Sequence, residues 1–305
     1  MSGLKRLLIA TCWVVACSRE EASSSQRVAE ASAVPGLGLG LPSAPPPNPK
    51  ASVPAELTSA ALTPAQSSIS LPTRPPPATA CPSDMREVRG DYCPLASPRC
   101  EQWLNRGQGR CARFAPASAC RVKRQPKHFC VDRFEFPNQP GVLPVVMVNW
   151  FEAAAACGQL GKRLCTDSEW TFACEGEEQL AYPYGDARDA AACNIDRSYR
   201  FPDFNAFDSV SRVGAEVERL DQRVASGALR CESPFGVRDL TGNVDEWVVN
   251  ESGKPYPSGL KGGYWGPIRA RCRPMTTTHN QWFRFYQVGF RCCADAAAQA
   301  AQAVE

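Results

Sequence analysis

Fourteen of the sixteen cysteines of this chain lie between residues 81 and 293. No fold can accommodate them without deciding where each one goes. They show no paired CxxC spacing, as a structural zinc site would, and only Cys292 and Cys293 are adjacent. Such scatter suits an oxidising compartment and a framework of disulfides. The other two, Cys12 and Cys17, sit in the N-terminal stretch, so the remaining number is even and consistent with seven bridges.

The N-terminus points to the same compartment. Lys5 and Arg6 precede a short apolar run, Leu7–Ala16. It is shorter than the roughly 20 residues needed to span a bilayer and reads as a signal peptide over residues 1–16. The run ends in Val14-Val15-Ala16-Cys17 and polar Ser18-Arg19-Glu20-Glu21 follows at once. This resembles a bacterial lipoprotein signal, which implies that Cys17 carries the lipid and tethers the chain to a bacterial envelope membrane. Ser18 after the cysteine points to the outer membrane where a cell has two. Residues 17–80 form the next segment. Ser18–Ala80 holds twelve prolines, no cysteine and no aromatic residue. It cannot bury enough apolar surface to offset the entropy of ordering, so it is expected to be a disordered tether.

A domain is expected over residues 81–293, with an Ala-rich tail over 294–305. Residues 81–130 carry six cysteines and read as a loop-rich, stapled segment whose fifteen pairings spacing cannot choose among. Val131, Phe134 and Phe136 alternate with charged residues as in a strand, which Pro137-Asn138 ends. Asn149-Trp150-Phe151-Glu152 and Thr166-Asp167-Ser168-Glu169 are capping-box starts for two helices. Gly161 and Gly176 stand where those helices should stop. Beyond Asp186 the periodicity fades into loop, with at most a short helical series in Glu216–Arg230. The net charge is +3 and no basic stripe appears, so nucleic-acid binding is not expected. Two histidines do not make a multi-histidine metal site.

Five short motifs follow one another in order. They are Gly161-Lys162-Arg163-Leu164 with Thr166 and Glu169-Trp170; Tyr182-Pro183-Tyr184-Gly185-Asp186; Gly242-Asn243-Val244 with Glu246-Trp247; Gly262-Gly263; and Gly289-Phe290-Arg291-Cys292. Together they resemble the sulfatase-modifying-factor domain of the formylglycine-generating enzyme family. The resemblance implies an α+β fold: a single compact domain, disulfide-rich and poor in regular structure, akin to C-type lectins.

It also implies calcium. A first site would use the side chains of Asp239 and Glu246 with the carbonyls of Gly242 and Val244, and a second would use Asn194, Ile195, Asp208 and Val210. Carboxylate and carbonyl oxygens are what a hard Ca²⁺ takes. The family's enzymes oxidise a sulfatase cysteine with copper held by two cysteines, as soft thiolates hold Cu(I). Here Pro267 stands at the first of these positions. Cys272 falls on the second when counted from Gly263, and beside a structural cysteine when counted back from Cys292. Tyr264 and Asp245 depart from the family pattern at the same place. Copper is therefore not expected.

By the same resemblance Cys157 pairs with Cys292 and Cys174 with Cys272. Cys193 and Cys231 flank the two calcium loops and make a sensible pair, and Cys165 is left with Cys130 or Cys293. The reading that results is a lipid-anchored, non-catalytic binding or scaffold module for a protein or glycan ligand. The alternative is a copper-dependent formylglycine-generating oxidase or related redox enzyme with a rearranged site around Cys272.

Overall fold

In the computed structural model, residues 80–117 and 119–297 are described, and they belong to one compact unit. The signal peptide, Cys17, nearly all of the tether and the last eight residues of the tail lie outside the described residues. No helix among the described residues is long and apolar enough to cross a membrane.

The stapled segment holds more regular structure than its cysteine density suggests. β1 (Met85–Tyr92) pairs antiparallel along its whole length with β4 (Gln125–Asp132). Between them β2 (Cys100–Asn105) and β3 (Arg110–Phe114) form a separate hairpin. In β1 Met85, Val88 and Tyr92 turn inward while Glu87, Arg89 and Asp91 stay at least partly exposed, and the charges hide the strand pattern. The strand expected over residues 131–136 stops at Asp132. Beyond it the chain bends, which carries Glu135 to full burial beside Asn243.

Both helices begin where their capping boxes say. α1 (Trp150–Gln159) is capped by Asn149, whose side chain accepts from Glu152 N, while Glu152 accepts from Asn149 N. α2 (Asp167–Glu175) has the same reciprocal pair between Thr166 and Glu169. Such boxes satisfy amides that the first helical turn leaves without partners. Two short helices follow, α3 (Phe204–Phe207) and α4 (Val213–Leu220).

β5 (Arg163–Leu164) and the last strand, β10 (Cys292–Asp295), complete the first sheet in the order β1-β4-β10-β5. A second four-stranded sheet runs β8-β7-β6-β9, from β6 (Asp245–Val249), β7 (Ser258–Lys261), β8 (Met275–Thr276) and β9 (Val288–Phe290). β6 and β9 are parallel, so the closing Gly289-Phe290 lies beside Glu246-Trp247. One apolar cluster gathers Trp170, Phe172, Cys165 and Cys293, and another gathers Trp247, Phe290, Cys157 and Cys292.

Seven disulfides join all fourteen cysteines of the domain. Cys157–Cys292, Cys174–Cys272 and Cys193–Cys231 are three of them. Cys165 takes Cys293 rather than Cys130, which is held by Cys81. Cys93–Cys120 and Cys100–Cys111 brace the β2–β3 hairpin.

Candidate functional site

The stretch after β7 is where the sequence places the two-cysteine position. Gly262 and Gly263 both have positive φ, 86° and 76°, and turn the chain sharply out of the sheet. Tyr264 and Trp265 then fold inward, both nearly inaccessible to solvent, against Tyr286, Leu220 and Val244. The Tyr264 ring lies over the backbone of Gly266, where a Cβ would stand 2.6 Å from it. It also packs edge-on to Trp265 at 5.6 Å.

Pro267 is half-buried, and Cys272 is wholly buried and bonded to Cys174 on α2. A pair of thiolates is what Cu(I) needs. Proline supplies no thiol and the disulfide leaves none on Cys272, so this donor set does not fit copper. What is left open is a cavity of about 20 Å³ lined by Asp245, Gly263, Ile268, Arg269 and Arg271 among others. That is room for about one water. Asp245 accepts from Gly263 N, and burial pushes its carboxyl up to about 7.

The loop before β6 is the second focus. Asp239, Gly242 and Asn243 all have positive φ, 60°, 82° and 55°. A Cβ on Gly242 would run into the carbonyl of Asn194, so only glycine fits this turn. Asp239 and Glu246 are both buried. Asp239 Oδ2 accepts from Gly227 N at 2.7 Å. Glu246 takes both Nε and an Nη of Arg291 at 2.6 Å and the Trp170 indole at 2.7 Å.

A third buried carboxylate, Glu135, accepts from Asn243 Nδ2 at 2.6 Å and Val244 N at 3.1 Å. Burial first, then the charges of Asp239 and Glu246, push its carboxyl well up. Burial likewise raises Asp239 to about 6. Three enclosed carboxyl groups thus crowd one enclosed guanidinium, and both oxygens of Glu246 already accept from Arg291 and Trp170. No three His, Cys, Asp or Glu side chains among the described residues form a metal-holding group by themselves. The first predicted site asks for only two carboxylates, with two carbonyls, and its Asp239 and Glu246 lie close enough to repel.

The second predicted site is different. Asn194 and Ile195 are buried, but Asp208 is exposed at the end of α3 and Val210 is 98% exposed. Among the described residues no hydrogen bond or ion pair joins Asp208 to Asn194. Asn194 Oδ1 accepts from Arg197 Nε at 2.8 Å, and its carbonyl accepts from Asn243 N at 3.0 Å. A guanidinium thus stands on the side-chain oxygen that a cation would need, as Arg291 does on Glu246 in the first site; what sets the second site apart is that Asp208 and Val210 are exposed. Glu135, Trp170 and Arg291 do most to order the first loop, and none was assigned a role from sequence. For Glu135 the alternation points the wrong way, since an acid between two inward-facing phenylalanines is expected to face outward.

The sequence profile described as the sulfatase-modifying factor enzyme 1-like domain matches residues 101–296. An inactive C-alpha-formylglycine-generating enzyme 2 from Bos taurus is 31% identical over 166 residues, covering 50% of this chain and 50% of that one. A formylglycine-generating enzyme from the same organism is 28% identical over 177 residues, 50% of this chain and 44% of its own. This chain thus spans about half the length of these curated relatives or less. PvdO from Pseudomonas aeruginosa is a structural neighbour at 16% identity and a TM-score of 0.44, over 72% of this chain and 97% of that one. The profile covers well over half of the chain and takes in both loops described above: the chain belongs to the sulfatase-modifying factor enzyme 1-like domain family.

Proposed function

We propose that this protein is a lipid-anchored, non-catalytic binding or scaffold module of a bacterial envelope, held in shape by calcium and disulfides. The observation that carries the reading is the Cys174–Cys272 bridge. It consumes the only cysteine near the two-thiolate position, while Pro267 fills the other place. Tyr264 and Trp265 fill the turn beyond the Gly pair, packed against Tyr286, Leu220 and Val244. The similarity to a relative described as inactive agrees with this. Calcium is proposed for the Asp239–Glu246 loop alone, because its two carboxyls are buried and lie close enough to repel, and it would take the place of the Arg291 contact on Glu246.

The test is to alkylate the unreduced protein, count modified cysteines by mass, and titrate with Cu(I). No alkylation at Cys272 and no tight copper binding are expected. An alkylated Cys272 that binds copper, with conversion of cysteine to formylglycine in a sulfatase-derived peptide, would establish the oxidase instead.

A further inference from the structure

The chain's net charge of +3 conceals an uneven distribution. Residues 99–124, the β2–β3 hairpin and the return to β4, carry seven basic side chains and one acidic one, Glu101. That is a net +6 on this stretch, which leaves −3 on the rest of the chain.

Two of the seven are neutralised locally. Arg99 pairs with Glu101 at 3.1 Å and Arg110 with Asp196 at 2.8 Å. Arg124 is turned back onto the carbonyls of Asp91 and Glu177. Arg106, Arg113, Arg121 and Lys123 are exposed and take part in no ion pair among the described residues.

Apolar side chains stand in water among these cations. The hairpin belongs to neither four-stranded sheet. β3 gives Cys111 and Phe114 to a cluster with Tyr182, while Glu101–Asn105 of β2 are exposed throughout. Trp103 is 39% exposed and Leu104 53%, and Val122, between Arg121 and Lys123, is 42% exposed. The Arg106 guanidinium lies over the Trp103 ring at 5.5 Å. A polyanion would satisfy the cations and leave Leu104 and Val122 wet. An anionic bilayer offers both halves of the match: phosphates at the level of the cations, an apolar layer beneath, and a boundary that tryptophan favours.

We propose that the β2–β3 hairpin docks on an anionic phospholipid surface. Arg106, Arg113, Arg121 and Lys123 meet the headgroup phosphates, and Trp103, Leu104 and Val122 enter the interfacial layer. The Cys100–Cys111 and Cys93–Cys120 bridges hold the hairpin and its return together, so the surface is ready-made. Four such cations correspond to a dissociation constant of about 1 mM in accessible lipid. A contact this weak orients the domain and is lost on dilution. It needs no lipid on Cys17, so it stands or falls separately from the anchor.

The probe is vesicles of phosphatidylglycerol and phosphatidylcholine in equal parts, with pure phosphatidylcholine vesicles and heparin as comparisons. The protein is the oxidised full chain with Cys17→Ser, which can carry no lipid. Cosedimentation at low salt should show binding to the anionic vesicles about tenfold or more stronger than to the neutral ones, and lost at about 0.5 M salt. Arg121→Ala combined with Lys123→Ala should weaken it about tenfold or more. Leu104→Ser should weaken vesicle binding about threefold or more and leave heparin binding unchanged. All three side chains are exposed, so these variants keep the fold. Equal binding to neutral and anionic vesicles, no binding at about 5 mM lipid, or an unchanged affinity in the double variant overturns the proposal. So does unchanged vesicle binding in Leu104→Ser, which would make the hairpin a site for polyanions in general.

Discussion

At Asp239, burial holds the carboxyl near 6, above the ordinary value of 3.8. A folded carboxyl with a raised pKa keeps its proton where the unfolded chain loses it. Its contribution to stability is therefore full below about pH 4 and is lost as pH rises through 6. Glu135 shifts in the same direction. A calcium ion in this loop would compete with those protons. The melting temperature gained on adding calcium should be larger at pH 8 than at pH 5, and Asp239→Asn should abolish most of the gain. At a hundred times its dissociation constant the ion should add about 2.7 kcal/mol. Thermal melts with calcium and with chelator at the two pH values measure this, and equal melts at pH 8 would remove calcium from the description. Asp208 and Val210 are exposed while Asn194 and Ile195 are buried, so equilibrium dialysis should find one calcium per chain rather than two. Two ions would mean that the segment of Asp208 folds in and Arg197 swings aside.

Among the elements, the turn before β6 has the least freedom. Gly242→Ala combines a φ of 82° with a clash against the Asn194 carbonyl. It should cost at least about 1–3 kcal/mol in urea unfolding. α2 is tied to the loop after β7 by Cys174–Cys272, across 98 residues. Replacing both cysteines by alanine should cost about 4.7 kcal/mol on the loop-entropy account, read as a lower urea midpoint. What could be read from sequence follows the range of each interaction. The caps of α1 and α2 were legible because Asn149–Glu152 and Thr166–Glu169 act three residues apart. β1 was not, because alternating charges on its outer face obscure the inner one. The site divides the same way. Asp239, Gly242 and Glu246 sit inside one short motif. Glu135 meets Asn243 across 108 residues and leaves no local trace.

For the molecule as a whole, the two apolar clusters are fastened by neighbours in sequence. Successive residues of a strand point to opposite faces. Cys292 on β10 therefore reaches Cys157 in one cluster, and Cys293 reaches Cys165 in the other. Both clusters depend on a single strand at the end of the domain. If the lipid on Cys17 is what holds the protein to its membrane, Cys17→Ser should move it from the membrane to the soluble fraction on cell fractionation without changing the melting temperature. A variant still in the membrane pellet would point to some other attachment.

β10 also has a consequence for manufacture. Of the strands described, ribosomes make it last. Until residues 292 and 293 are made, the thiols of Cys157 and Cys165 wait through more than a hundred further residues of growing chain. During that interval Cys174 is within reach as a wrong partner. Correct closure therefore requires that any early bond from Cys157 or Cys165 to Cys174 be exchanged once residues 292 and 293 are made. A fragment cut just before Cys292 would be left with an unfastened sheet, however complete its loops.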